Sequence, residues 1–81
     1  MKIIRISAIW CSSCIIMKSR FNDVVKDKNI ELIDLDYDFD DVDEYMVGSI
    51  LPVYIKQVGN KEIGRLVGEH SKEELESFLG D

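Results

Sequence analysis

An abrupt change of pattern at residues 10–14 constrains this chain more than any other feature. Residues 2–9 (Lys-Ile-Ile-Arg-Ile-Ser-Ala-Ile) are β-branched and nearly continuous in apolar character, as in a strand buried on both faces. Trp10-Cys11-Ser12-Ser13-Cys14 follows, and beyond it Ile15, Met17, Phe21, Val24 and Val25 recur at helical spacing. Lys18, Arg20, Asp23 and Lys26 are left for the wet side. Ser12 and Ser13 suit an N-cap, and Asn29 suits a stop, so a helix is expected to about Lys28. The only two cysteines of the chain therefore stand where a buried strand turns into a helix.

The remaining pattern supplies the other elements. Residues 30–36 read as a second strand. The acidic stretch 38–47 suits a short helix, because Val42, Tyr45 and Met46 lie one turn apart. Gly48 to Pro52 breaks it. Residues 53–58 and 62–67 are two strands joined by Gly59-Asn60-Lys61, as in an antiparallel hairpin. Ser71-Lys72-Glu73-Glu74 is a capping-box opening for a last helix with Leu75, Phe78 and Leu79 inward. With no repeat, linker or low-complexity tract, the expectation is a single α/β domain over residues 1–81. Its order is β-α-β-α-β-β-α, in a four-stranded mixed sheet with helices on both faces.

Charge narrows the partners. The net charge of −6 opposes nucleic acid, whose phosphates call for a basic surface, and opposes an anionic membrane. No apolar run approaches the roughly 20 residues of a spanning helix, and residues 1–5 lack the pattern of a signal peptide. The expectation is a monomeric cytoplasmic protein, in a compartment that keeps thiols reduced.

A thiolate at a helix N-terminus gains from the free N–H groups and the positive end of the helix dipole. Cys11 is expected there, as the more acidic and more exposed thiol. Cys14 is expected one turn deeper, within reach of it. Such a pair can exchange in two steps, Cys11 attacking a partner disulfide and Cys14 resolving the mixed disulfide. Three plainer roles compete. A structural staple over so short a loop restrains the unfolded chain by only about 2 kcal/mol. A zinc site needs four ligands, and two cysteines with one distant histidine supply them only if two chains share their pairs. Free cysteines are also often small buried hydrophobes and nothing more.

With Trp-Cys-x-x-Cys opening a helix, Ile50-Leu51-Pro52 before a hairpin, Val67-Gly68 after it and this element order, nearly the whole chain resembles the thioredoxin family. The resemblance implies a thiol-disulfide oxidoreductase with Cys11 as nucleophile and Cys14 as resolving thiol. It has no bound cofactor or metal; its redox centre is the Cys11–Cys14 disulfide. It implies that Trp10 walls the docking surface and that Ser12 and Ser13 are the insert facing the substrate. Pro52 would be cis, leaving the Leu51 backbone to pair with an extended substrate segment, and Val67-Gly68 would offer a further loop. The partners implied are disulfide-bearing proteins or small molecules, with an external reductase or thiol donor supplying electrons. Two rivals stand beside this: a non-catalytic binding module on the same fold, and a glutaredoxin-type enzyme that uses glutathione.

The chain also departs from the family. It begins at what would be the central strand, and the insert is Ser-Ser rather than Gly-Pro. Where thioredoxins usually carry a buried acid, six residues before the nucleophile, it has Arg5. The lysine that usually pairs with that acid corresponds to Leu32, and Val53 stands where thioredoxins commonly have Thr. Arg5 is expected either to snorkel with a wet guanidinium or to lend positive charge to the dithiol. The seven acids from Asp34 to Glu44 fit no calcium loop, since no frame supplies both the glycine and the closing glutamate. They are expected to form a solvated face, and His70 to be a loop residue.

Overall fold

In a computed structural model, which describes residues 1–80, the strands are β1 (Lys2–Ser7), β2 (Glu31–Asp36), β3 (Val53–Val58) and β4 (Lys61–Val67). Two helices, α1 (Ser12–Val24) and α2 (Lys72–Gly80), and one 3₁₀ turn (Asp43–Tyr45) complete the described residues. The sheet order is β2-β1-β3-β4. β1 runs parallel to β2 and antiparallel to β3, and β4 closes the edge antiparallel to β3. The mixed sheet therefore follows the sequence expectation.

β1 is central because its side chains can be buried both ways. Ile3, Ile4, Arg5 and Ile6 are all buried, and each aliphatic one is worth roughly 1.5–3 kcal/mol of transfer out of water. Alternation divides them between two cores. Ile3 joins Met17 and Phe21 of α1, Tyr54 of β3, and Leu75 and Leu79 of α2. Ile4 and Ile6 join Ala8, both cysteines, Val42, Leu51, Val53 and Ile55. Both long helices thus share one face. The other is covered by the acidic segment, whose expected helix is reduced to a single 3₁₀ turn ending at Met46 in the left-handed region (φ 52°).

Several boundaries differ from expectation. Val25, in a non-helical conformation (φ −93°, ψ 4°), ends α1 one turn before Lys28. Neither serine caps this helix; Cys11 is the N-cap. Ile15 does not face inward but is 67% exposed, since the positions of Cys14, Met17 and Phe21 define the buried stripe. The hairpin turn is the two residues Gly59-Asn60, with positive φ at the first, as a II′ turn requires. In α2, Leu75 and Leu79 are buried, and Phe78 packs in the space Gly64 leaves, its ring 3.4 Å from where a Cβ would stand.

The capping box forms as read. Glu74 N–H donates to Ser71 Oγ at 3.1 Å, and Ser71 N–H donates to Glu74 Oε1 at 3.0 Å. The Ser71 N–H, with His70 and the Ser71 hydroxyl assisting, holds the Glu74 carboxyl down from 4.5 to about 2. A lowered folded value means this stabilisation is complete above the unfolded value and is lost as pH falls through the folded one. Thermal midpoints measured from pH 5 to pH 2 should therefore fall less steeply in Glu74→Gln than in wild type; parallel curves would remove Glu74 from the acid response.

Candidate active site

The dithiol is placed by the end of β1. Past Ser7 the chain turns, and Cys11 N–H donates to the Ala8 carbonyl at 3.2 Å. Cys11 is extended (φ −96°, ψ 109°), and its Sγ accepts the Cys14 backbone N–H at 3.2 Å. A sulfur here does the work usually given to a serine or aspartate oxygen. It satisfies an orphan donor of the first turn and sits at the positive end of α1. Negative charge on Cys11 would be met by that N–H.

Both cysteines are free thiols. Burial pushes the Cys14 thiol up to about 11, with its hydrogen bond to Cys11 adding to the rise; the Ala8 backbone and the Arg5 charge oppose it. The Cys14 backbone N–H on Cys11 Sγ holds the two cysteines together across the first turn of α1. Cys11 is the more exposed of the pair, as expected, but by little: 8% against 5% for Cys14. Its capping role draws the sulfur back onto the helix, and it packs within the Ile4, Leu51 and Val53 core.

The surrounding wall gathers residues far apart in sequence. The Leu51–Pro52 peptide is cis, as expected. Gly68 N–H donates to the Pro52 carbonyl at 2.8 Å, which joins the 67–68 loop to the proline. Gly68 has φ +84°, and a Cβ there would meet Ile50 Cγ2 at 3.4 Å; both facts favour glycine. Trp10 is 61% exposed, and Ile50 and Val67 are exposed beside buried Leu51 and Pro52. Ser12 is exposed and Ser13 half-buried in the first turn of α1, and neither caps the helix.

Three relations escaped the sequence. Trp10 Nε1 donates to Asp38 Oδ2 at 2.6 Å, so an acid of the 38–47 stretch holds the exposed indole. Other acids shape their own turn: Asp36 Oδ1 accepts from the Asp38 and Phe39 N–H groups, and Asp40 Oδ2 accepts from Asp36 N–H. Third, Arg5 is not wet. Its side chain is 5% exposed and forms a two-pronged bond with Asp34, at 2.6 and 2.9 Å. Burial works against the guanidinium charge, but Asp34 and Tyr54 hold it above its ordinary value. Only strand register could have shown this pairing, since Asp34 and Tyr54 flank Arg5 across β1. Beside the dithiol an open cleft of about 480 Å³ is lined by Cys14, Ala8, Ile15, Lys18, Asp34 and Asp40, among others. Among the described residues, no group of three or more His, Cys, Asp or Glu is placed to hold a metal ion, and no helix is long and apolar enough to cross a membrane.

Trp10 is the only tryptophan, so its fluorescence reports on the surroundings of this indole alone. Asp38→Ala should lower its anisotropy and leave helix content unchanged; equal anisotropy would show that the indole needs no anchor.

No family model matches the chain, and no curated protein matches it. Solved structures do. A thioredoxin-2, described as a component of the malaria parasite protein secretion machinery, superposes with a TM-score of 0.86 at 20% identity, over 98% of this chain and 80% of that one. A structure described as a malarial protein gives 0.84 at 22% identity, over 98% and 92%. The reduced thioredoxin pre-protein of Schistosoma mansoni gives 0.84 at 20%, over 98% and 75%. The chain is similar to these over nearly its full length, and its fold is the thioredoxin fold.

Proposed function

We propose that this thioredoxin-fold chain is a thiol-disulfide oxidoreductase that reduces disulfides in proteins or small molecules through Cys11 and Cys14. The observation carrying the proposal is that Cys11 Sγ caps α1 by accepting the Cys14 N–H, and that both cysteines pack in one cluster with Leu51, the residue before Pro52. Cys11, as thiolate, attacks one sulfur of the substrate disulfide and expels the other as a thiolate, leaving a mixed disulfide. Cys14 loses its proton to water and attacks Cys11 Sγ, so that the Cys11–Cys14 bond forms and the second substrate sulfur departs with the electron pair. The substrate gains two electrons and the protein becomes a disulfide. An external reductase or thiol donor restores it, in a reducing compartment such as the cytoplasm. No bound metal or organic cofactor enters, because the two sulfurs carry the electrons.

Extended substrate would lie against Trp10, Ile50 and Val67 and pair with the Leu51 backbone as an added strand. Asp36, Asp38 and Asp40 border the same end, which disfavours an anionic tripeptide such as glutathione as the dedicated partner. A second reading, a binding module that holds partners without exchange, is favoured by the small exposure of both sulfurs.

Turnover of a protein disulfide with dithiothreitol as donor separates them. Catalysis predicts activity in wild type, background rates in Cys11→Ser and, once the dithiothreitol is removed from reduced Cys14→Ser before substrate is added, an accumulating mixed disulfide on Cys11. Equal rates in wild type and Cys11→Ser would leave the binding module.

A further inference from the structure

The deeper thiol poses a problem that its neighbourhood answers in an unexpected way. Cys14 is buried, and burial raises it to about 11, so resolution at neutral pH needs something that favours its anion. Of the charged groups around the cleft that Cys14 lines, Lys18 and Asp40 are exposed and Asp36 is half-buried; the buried one is Arg5, paired with Asp34. The members of this pair are unequal: the guanidinium is buried, while the Asp34 side chain is half exposed. Water screens the carboxylate far more than the guanidinium, so the field inside the protein is net positive. Arg5 Nη1 is also buried and without a hydrogen-bond partner among the described residues, as is the Tyr54 hydroxyl across the strand. Asp34 and Cys14 line one cleft, and the Arg5 charge acts on Cys14 in the direction that favours its anion. A buried cation with a donor to spare suits an anion that appears only during reaction.

We propose that Arg5 is a positioning residue for the second step of exchange: tethered by Asp34, its buried guanidinium stabilises the Cys14 thiolate that attacks the mixed disulfide. It takes no proton. The Cys14 proton leaves to water in the cleft, and the expelled substrate thiolate is protonated by water in turn. Asp34 fixes the guanidinium and offsets part of its charge, so the two residues oppose each other. This rests on the redox reading of the same site.

The test is a single turnover of reduced protein with one equivalent of a nitrobenzoate disulfide, whose leaving thiolate is coloured. The first colour release reports attack by Cys11, and the second reports resolution by Cys14. Arg5→Met should slow the second release about tenfold at pH 7, as for removal of one nearby charge, and should reach the wild-type rate at higher pH. Arg5→Lys should recover most of the loss. Asp34→Asn, at a half-exposed position, should speed the second release and move its pH profile down. An unmoved profile in Arg5→Met overturns the proposal. So does slower release in Asp34→Asn, which would make Asp34 the proton acceptor. Should Arg5→Met fail to fold, the sign in Asp34→Asn alone decides. A wild type that never gives the second release overturns the redox reading and this proposal together.

Discussion

The hydrogen bond from the Cys14 backbone N–H to Cys11 Sγ joins the fold to the chemistry. It exists because β1 is held between β2 and β3 and delivers Ala8, whose carbonyl takes the Cys11 N–H and turns the chain into α1. Met17 and Phe21 then anchor the helix against Ile3, Tyr54 and α2. The sulfur sits where the first turn lacks an acceptor, and its second partner comes along the same helix. Removing the strand's burial would release the turn, the cap and the dithiol geometry at once.

The same capping bond sets the cost of the arrangement. It draws Cys11 inward, so both sulfurs are nearly covered, and the reactive edge is defined by the exposed residues around them. Ile50 meets the 67–68 loop at Gly68, whose N–H bonds the Pro52 carbonyl, and exposed Trp10 is held by Asp38. Beneath this surface the electrostatics are reversed from the family pattern. A buried cation on the central strand faces an acid on its neighbour, where the resemblance implied an acid paired with a lysine. A positive interior charge near a buried thiol favours its anion, which is the ground of the redox role proposed for a residue that composition alone would assign to the surface.

Much of this was legible in the sequence because local rules agreed with the fold. The apolar run of β1, the glycine turn between β3 and β4 and the Ser71–Glu74 box each kept their place. The cysteine pair and Pro52 were legible as a site because their types and spacing resemble those of a known family. What escaped depends on register or competition. The Arg5–Asp34 pair requires knowing which residues of β1 and β2 stand opposite. The Trp10–Asp38 bond links segments 28 residues apart. The N-cap went to Cys11 because its extended backbone precedes the first helical residue, so the serines, though better capping residues in general, lie inside the helix. The acidic segment forms one 3₁₀ turn because its carboxylates bind nearby backbone N–H groups, which competes with helix.

If the helix start makes one sulfur reactive, the two cysteines should differ sharply in reactivity. Treating the reduced, folded protein with less than one equivalent of iodoacetamide and mapping the label by peptide mass spectrometry reads this directly. The account predicts carboxamidomethyl almost wholly on Cys11, with Cys14 labelled only after unfolding. Label shared evenly between the two, or found first on Cys14, would contradict it.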